Sequence, residues 1–260
     1  MGMAASMPSS ASFIIAGVDF GSMAPAHLDT TTLGETFVNA ANQTLMGYGV
    51  VSTVNGSSSY GTGGQQLYFT FDYNVKAFSS TAVSFDGGVV NLYLGTLPNL
   101  LSQSSAADRT AIQGLTPWAQ LIGHTFTDPV YNLISGGVST YTLDGYGVLT
   151  GGSLSELGSG MLDANSGFGS AAAYNFLNGN SISDNLGGFA DVVLTTSTNS
   201  SVLNNNDNTS SCRTNNPTVG AWCLQGSANI RGTGVPEPAT LALSGLALLG
   251  LGAARRRKQD

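Results

Sequence analysis

Two histidines, two glutamates ahead of Val235 and two cysteines are the residues of this chain with the most chemistry to offer. His27 has Asp29 two residues on, and His124 has Asp128 four residues on; either His could serve as a general base. Serine is abundant, so a Ser/His/Asp set can be drawn almost anywhere, yet the sequence has no G-x-S-x-G nucleophile turn. The histidines therefore read as structural or surface residues. Ahead of the tail the chain has only two glutamates, Glu35 and Glu156, and its aspartates read as turn and solubility residues. Glycoside hydrolysis needs two carboxyls about 5–9.5 Å apart. Two carboxylates converging in a cleft with shifted pKa would speak for a hydrolase, and scattered aspartates on a smooth surface for a structural role. Asn204-Asn205-Asn206-Asp207-Asn208 offers oxygens at alternate positions, as calcium loops do, but lacks their further carboxylates, glycine and distal glutamate. It reads as a polar loop. Gly56 to Gly64 lacks the Lys-Ser/Thr of a phosphate loop. No catalytic residue, metal site or cofactor is expected.

Cys212 and Cys223 close a loop of 12 residues that holds Pro217 and Gly220. Two histidines leave too few ligands for a zinc site with these cysteines. An even cysteine count in an exported chain points to a disulfide, worth roughly 3 kcal/mol by loop-closure entropy.

The elements that would position these residues are short strands. Phe13–Ala16 reads as a first strand, Val18 to Thr32 as loop, and Tyr48 to Val54 as a strand ending at an Asn55-Gly56 turn. In Leu67–Tyr73, alternation puts Leu67, Phe69, Phe71 and Tyr73 on one face and Tyr68, Thr70 and Asp72 on the other. Ala82–Phe85 and Val89–Leu94 form a hairpin-like pair around Asp86-Gly87-Gly88. Short helices are expected at Ser105–Gln113, with Ser104 or Ser105 as cap, and at Ser170–Gly179. Pro98 to Gln120 is otherwise irregular. Val138–Thr150, broken at Gly145 and Gly147, Phe189–Thr196 and Ala221–Gly232 supply further strands. The expected fold is mainly β: an antiparallel β-sandwich or jelly-roll-like domain, followed by one C-terminal transmembrane helix. Thr30–Thr32 and Thr195-Thr196 are too short for a flat ice-binding array. Tyr68, Tyr93 and Trp222 could stack on sugars, though packing is the commoner fate of such rings.

Charged residues make up 9% of the chain, far below the usual ~25%. Ahead of Val235 there are 13 acidic and four basic residues, a formal net of −9. Such a domain repels phosphate, so no nucleic-acid partner is expected. The last 25 residues differ in kind. Pro236-Glu237-Pro238 leads into a 16-residue uncharged segment, Ala239–Ala254, with six leucines, and then into Arg255, Arg256, Arg257 and Lys258. Sixteen residues of helix span about 24 Å, against roughly 30 Å for a bilayer core; flanking residues and the snorkelling stems of Arg255 and Lys258 extend the span. The cations belong on the cytoplasmic side, which places the acidic domain outside the cytoplasm.

This tripartite tail closely resembles the PEP-CTERM sorting signal of Gram-negative bacteria, the same tail that is also catalogued as an ice-binding-protein C-terminal domain. The resemblance implies residence in the inner membrane, processing by an exosortase near Pro236–Pro238, and a final place at the cell surface or in the extracellular matrix, with exopolysaccharide as a further partner. The FTFDY strand, the FDGGVVNLYLG segment and the Gly-rich last strand also resemble parts of flocculation- and biofilm-associated members. The expected organisation is a truncated signal-peptide remnant over 1–11, an exported β-rich domain over 12–231, a linker over 232–235 and the sorting signal over 236–260. The remnant is expected because Met1–Ala11 has no cation and no long apolar run, whereas export needs both.

Overall fold

The computed structural model describes residues 12–21, 25–97, 99–127, 140–151, 153–207, 209–212 and 217–233. Fourteen strands are described: β1 Ile14–Ile15, β2 Val18–Asp19, β3 Pro25–Thr36, β4 Thr44–Val50, β5 Thr53–Val54, β6 Gln66–Phe78, β7 Ala82–Gly95, β8 Thr116–His124, β9 Leu143–Val148, β10 Ser155–Gly169, β11 Ile182–Ser183, β12 Phe189–Ala190, β13 Val192–Asn199 and β14 Trp222–Thr233. Two α-helices accompany them, α1 Ser105–Gln113 and α2 Ala171–Leu177.

The main sheet runs β13-β14-β3-β4-β6-β7-β8-β10, and β10 pairs back onto β13. That last pairing closes the sheet into an antiparallel barrel rather than the expected sandwich or jelly roll. β8 and β9 share one position in it. The second half of β7 pairs with β8 and the first half with β9, while β10 divides itself between the same two strands. Eight strands therefore surround the axis at either level. Eight give an interior that side chains nearly fill, or that holds one small ligand.

Of the bulges in this barrel, two lie where sequence patterning expected something else. In β7, Asp86 faces Asn74 and Val89 faces Asp72. Gly87 and Gly88 thus oppose Tyr73 alone, at φ of 64° and 99°, conformations that favour glycine. The Asp-Gly-Gly segment is a bulge inside one strand, not a hairpin turn, and it marks where β7 changes partners. In β3, Thr30 faces Ala228 and Leu33 faces Gly226. The extra residue shifts the side-chain phase, so that Leu28, Thr30, Leu33 and Glu35 all line the interior. This broken alternation hid the strand, and much of the stretch expected as loop is β3.

Inside, aromatic rings lie on glycines of the neighbouring strand. Gly47 pairs with Phe71 and Gly49 with Phe69; a side chain at either glycine would enter the facing ring. The two-face reading of β6 holds, but both faces are buried. Phe69, Phe71 and Tyr73 line the interior, while Tyr68 packs outside with Tyr48, Tyr93 and Ile112 of α1. Ser104 caps α1, accepting from the Ala107 amide, and Arg109 bonds Asp72 of β6 at 2.6 Å. The β1–β2 pair and α2 extend the core, with Phe20 against Phe176 at 4.4 Å between ring centres and against Trp118 at 6.3 Å. Asn55-Gly56 forms the expected tight turn, with both residues at positive φ between Val54 and Ser57. The last strand runs through Thr233, so residues 232 and 233, expected as linker, complete the pairing with β3.

Candidate functional site

Strand register brings the two glutamates together. Glu156 on β10 faces Thr198 on β13, and Thr198 in turn hydrogen-bonds the Glu35 carboxyl. Gly226 on β14, opposite Thr198, leaves that strand without a side chain between them. Gly145 on β9 does the same beneath Glu156, where any larger residue would collide with the carboxylate. Both glutamates line a cavity of about 50 Å³ walled mainly by Leu, Phe, Val and Ile. Glu156 and Thr198 also border a smaller one of about 20 Å³.

The electrostatics follow from that setting. Glu35 is 5% exposed. Burial and then the neighbouring Glu156 charge push its pKa up to about 8, against the opposing pull of the Thr198 hydroxyl. Glu156 is partly buried; burial, followed by the charge of Asp144, raises it to about 7. These are converging carboxylates of shifted pKa, the feature expected of a hydrolase. Their enclosure argues the other way. Ligand pockets usually occupy several hundred Å³, and this cavity has room for a few waters or one compact molecule.

The histidines hold other posts. His27 contacts Asn229 at 2.6 Å and Asp29 at 3.0 Å on the outer face of β3 and β14. His124, at the end of β8, meets Asp163 of β10 at 2.7 Å through Nδ1 and Asp184 at 3.2 Å through Nε2. Its sequence neighbour Asp128 lies outside the described residues. Burial disfavours the His124 imidazolium, but the two carboxylates outweigh it and raise the pKa. Asp184 is held low, first by the Leu186 amide, then by Gly188 and His124, against the opposing effect of burial. A raised His pKa stabilises the fold below the unfolded value near 6.5, and the contribution fades as pH rises through the folded value. His124→Gln should therefore lower the melting temperature by about 2–4 °C at pH 5.5 and by less at pH 8.5, in calorimetric scans at both pH values.

The remaining candidates are structural here. Cys212 and Cys223 form the expected disulfide. Asn204 is buried and donates to Leu100 O and Asp108, and Asp207 caps the Ser105 amide at 2.8 Å. The Asn-rich loop thus anchors the start of α1. Tyr68 and Tyr93 are buried, and Trp222 packs edge-on against Tyr48. Thr195 and Thr196 point to opposite sides of the wall, Thr196 into the cavity. Among the described residues, no three His, Cys, Asp or Glu gather to hold a metal, and no helix is long and apolar enough to cross a membrane.

Residues 234–258 match the family of the PEP-CTERM protein-sorting motif. This chain carries a PEP-CTERM sorting motif. Its tail directs membrane-anchored sorting to the cell surface, and such signals are processed by exosortase. The PEP-CTERM motif Pro236–Pro238, the apolar segment 239–254, the basic cluster 255–258 and the expected leader remnant 1–11 all lie outside the described residues. No curated protein and no solved structure matched the chain.

Proposed function

We propose that this PEP-CTERM protein is a structural or adhesive component of an exopolysaccharide matrix, with the barrel as the delivered domain and the tail as its address. The single observation that carries the reading is the match over 234–258. The barrel suits the role. Its backbone is paired around the full circle, which removes sheet edges, and the Cys212–Cys223 bond cross-links the entry to its last described strand. In this reading the apolar segment holds the protein in the inner membrane with Arg255–Lys258 on the cytoplasmic side. Pro236 and Pro238 fix φ on either side of Glu237 and present an extended substrate to the exosortase. These residues are acted upon; the chain is not an enzyme.

Glu237→Ala should abolish maturation. Intact mass and cell fractionation in the native host should show a species cut near residues 236–238 for the natural chain, and only uncut, membrane-bound protein for the variant. An uncut natural chain in the inner membrane, indifferent to the change, would reduce the tail to a plain anchor.

A second reading, a hydrolase, draws on the Glu35–Glu156 pair. A sugar ring with its neighbours needs far more room than about 50 Å³, so the structural reading is preferred.

A further inference from the structure

The barrel interior holds an unfinished polar arrangement. Tyr73 is 2% exposed, its hydroxyl is buried without a hydrogen-bond partner, and it lines the same cavity as Glu35 and Glu156. An orphaned buried hydroxyl ordinarily costs about 1–3 kcal/mol, so such groups usually meet a water or a ligand. Among the described residues, no Lys, Arg or His lines that cavity. Buried carboxyls are normally paired, and here the described residues supply no counter-charge. Asp29, Thr30, Thr196 and Thr198 also border the cavity, and the rest of its wall is apolar.

We propose that the barrel interior is a binding site for a small apolar primary amine. Its ammonium sits between the Glu35 and Glu156 carboxylates with the Tyr73 hydroxyl as a further acceptor, and its carbon body lies against Phe69, Phe71 and Leu92. The chemistry of the wall selects this class. An anion would meet two carboxyls. Calcium takes 6–8 oxygens, and among the described residues no third Asp, Glu, His or Cys joins the two glutamates to build that shell. A sugar carries more hydroxyls than the few polar groups can satisfy and more bulk than the cavity admits. An organic cation needs one cluster of acceptors and an apolar body, and both are present. The ammonium also brings three donors, which match two carboxylates and one hydroxyl.

The site titrates. The titratable side chains facing it are Glu35 on β3, Tyr73 on β6 and Glu156 on β10; Asp144 on β9 acts on Glu156 through its charge, and Asp29 of β3 borders the cavity with its carboxylate turned to the outer face. Asp29 is already engaged with Thr53 and His27. Raised carboxyl pKa values mean that protons compete with the amine, so affinity rises with pH while the amine stays protonated. The site does not depend on the sorting reading; either could fail alone.

The test is calorimetric titration of the full-length chain in mild detergent with ethylamine and n-propylamine. Ethanol and n-propanol serve as uncharged counterparts, and calcium as a metal probe. The amines should bind at least tenfold more tightly than the alcohols, with affinity rising about tenfold between pH 6 and 8.5. Glu35→Gln and Glu156→Gln should each weaken binding at least tenfold, and Tyr73→Phe a few-fold, with circular dichroism confirming that each variant is folded. Equal binding of amine and alcohol would overturn the proposal. So would amine binding indifferent to both Gln variants, which would mark attraction to the acidic surface. No amine signal at any pH would mean that the cavity holds water alone, and calcium binding lost in Glu35→Gln without amine binding would mean a metal site; either would also overturn it.

Discussion

Glu35→Gln should flatten much of the pH dependence of the barrel's stability. The folded pKa of Glu35 is raised to about 8 from an ordinary 4.5. The folded state therefore binds more protons than the unfolded state across that interval, and stability falls as pH rises. The contribution is fully present below about pH 4.5 and lost by pH 8–9. At 1.36 kcal/mol per unit, the loss is roughly 4–5 kcal/mol, a large share of the 5–15 kcal/mol that holds a typical domain together. Glutamine keeps the shape and does not ionise. Denaturant unfolding at pH 5, 7 and 9 should show the natural chain weakening steeply and the variant much less, so that the variant is the more stable protein at pH 9. Glu156 and His124 act with the same sign, so a residual slope remains. A natural chain equally stable at pH 5 and 9 would refute the buried placement of Glu35.

Trp118→Ala should cost about 3–5 kcal/mol, the range for a buried aromatic cut to alanine. Trp118 is 1% exposed on β8, faces Phe20, and donates through Nε1 to Ile15 O at 3.3 Å. The change opens a cavity and also leaves a buried carbonyl without its donor. The β1–β2 pair should loosen first, because Phe20 and Ile15 are its purchase on the barrel. Limited proteolysis should then cut within residues 12–21 well before global unfolding. Ile122→Ala, at an outward position 38% exposed, should cost less than about 1 kcal/mol. Equal losses at the two positions would mean that Trp118 does not organise this packing.

How much of this was legible in the sequence depends on whether the signal was local. β6 was legible because Leu67, Phe69, Phe71 and Tyr73 alternate strictly with Tyr68, Thr70 and Asp72. The Asn55-Gly56 turn, the α1 cap and the pairing of the two cysteines are likewise short-range chemistry. β10 was not legible, although it is the longest strand described. Its inward side reads Glu156, Gly158, Gly160 and Leu162, because Leu143 and Thr196 from the neighbouring strands fill the space over the two glycines. A strand whose apolar cover comes from its neighbours carries little hydrophobic period of its own. β8 opens on Thr116-Pro117, which counts against a strand by local rules, yet Pro117 sits at its second residue, where the missing donor is tolerated.

The sequence by itself determined the destination and the class. A Pro-Glu-Pro motif, an apolar run and a basic end are contiguous, and their order is their meaning. Composition and local alternation sufficed for a mainly β domain. Tertiary structure alone decided that the sheet closes, because closure depends on β10 meeting β13 over eight residue pairs, a register that neither strand encodes separately. It alone made a site of Glu35 and Glu156. They lie 121 positions apart, the β3 bulge turns one of them inward, and glycines on β9 and β14 make room for both. Burial, which raises their pKa values, is a property of the closed barrel and of no residue within it.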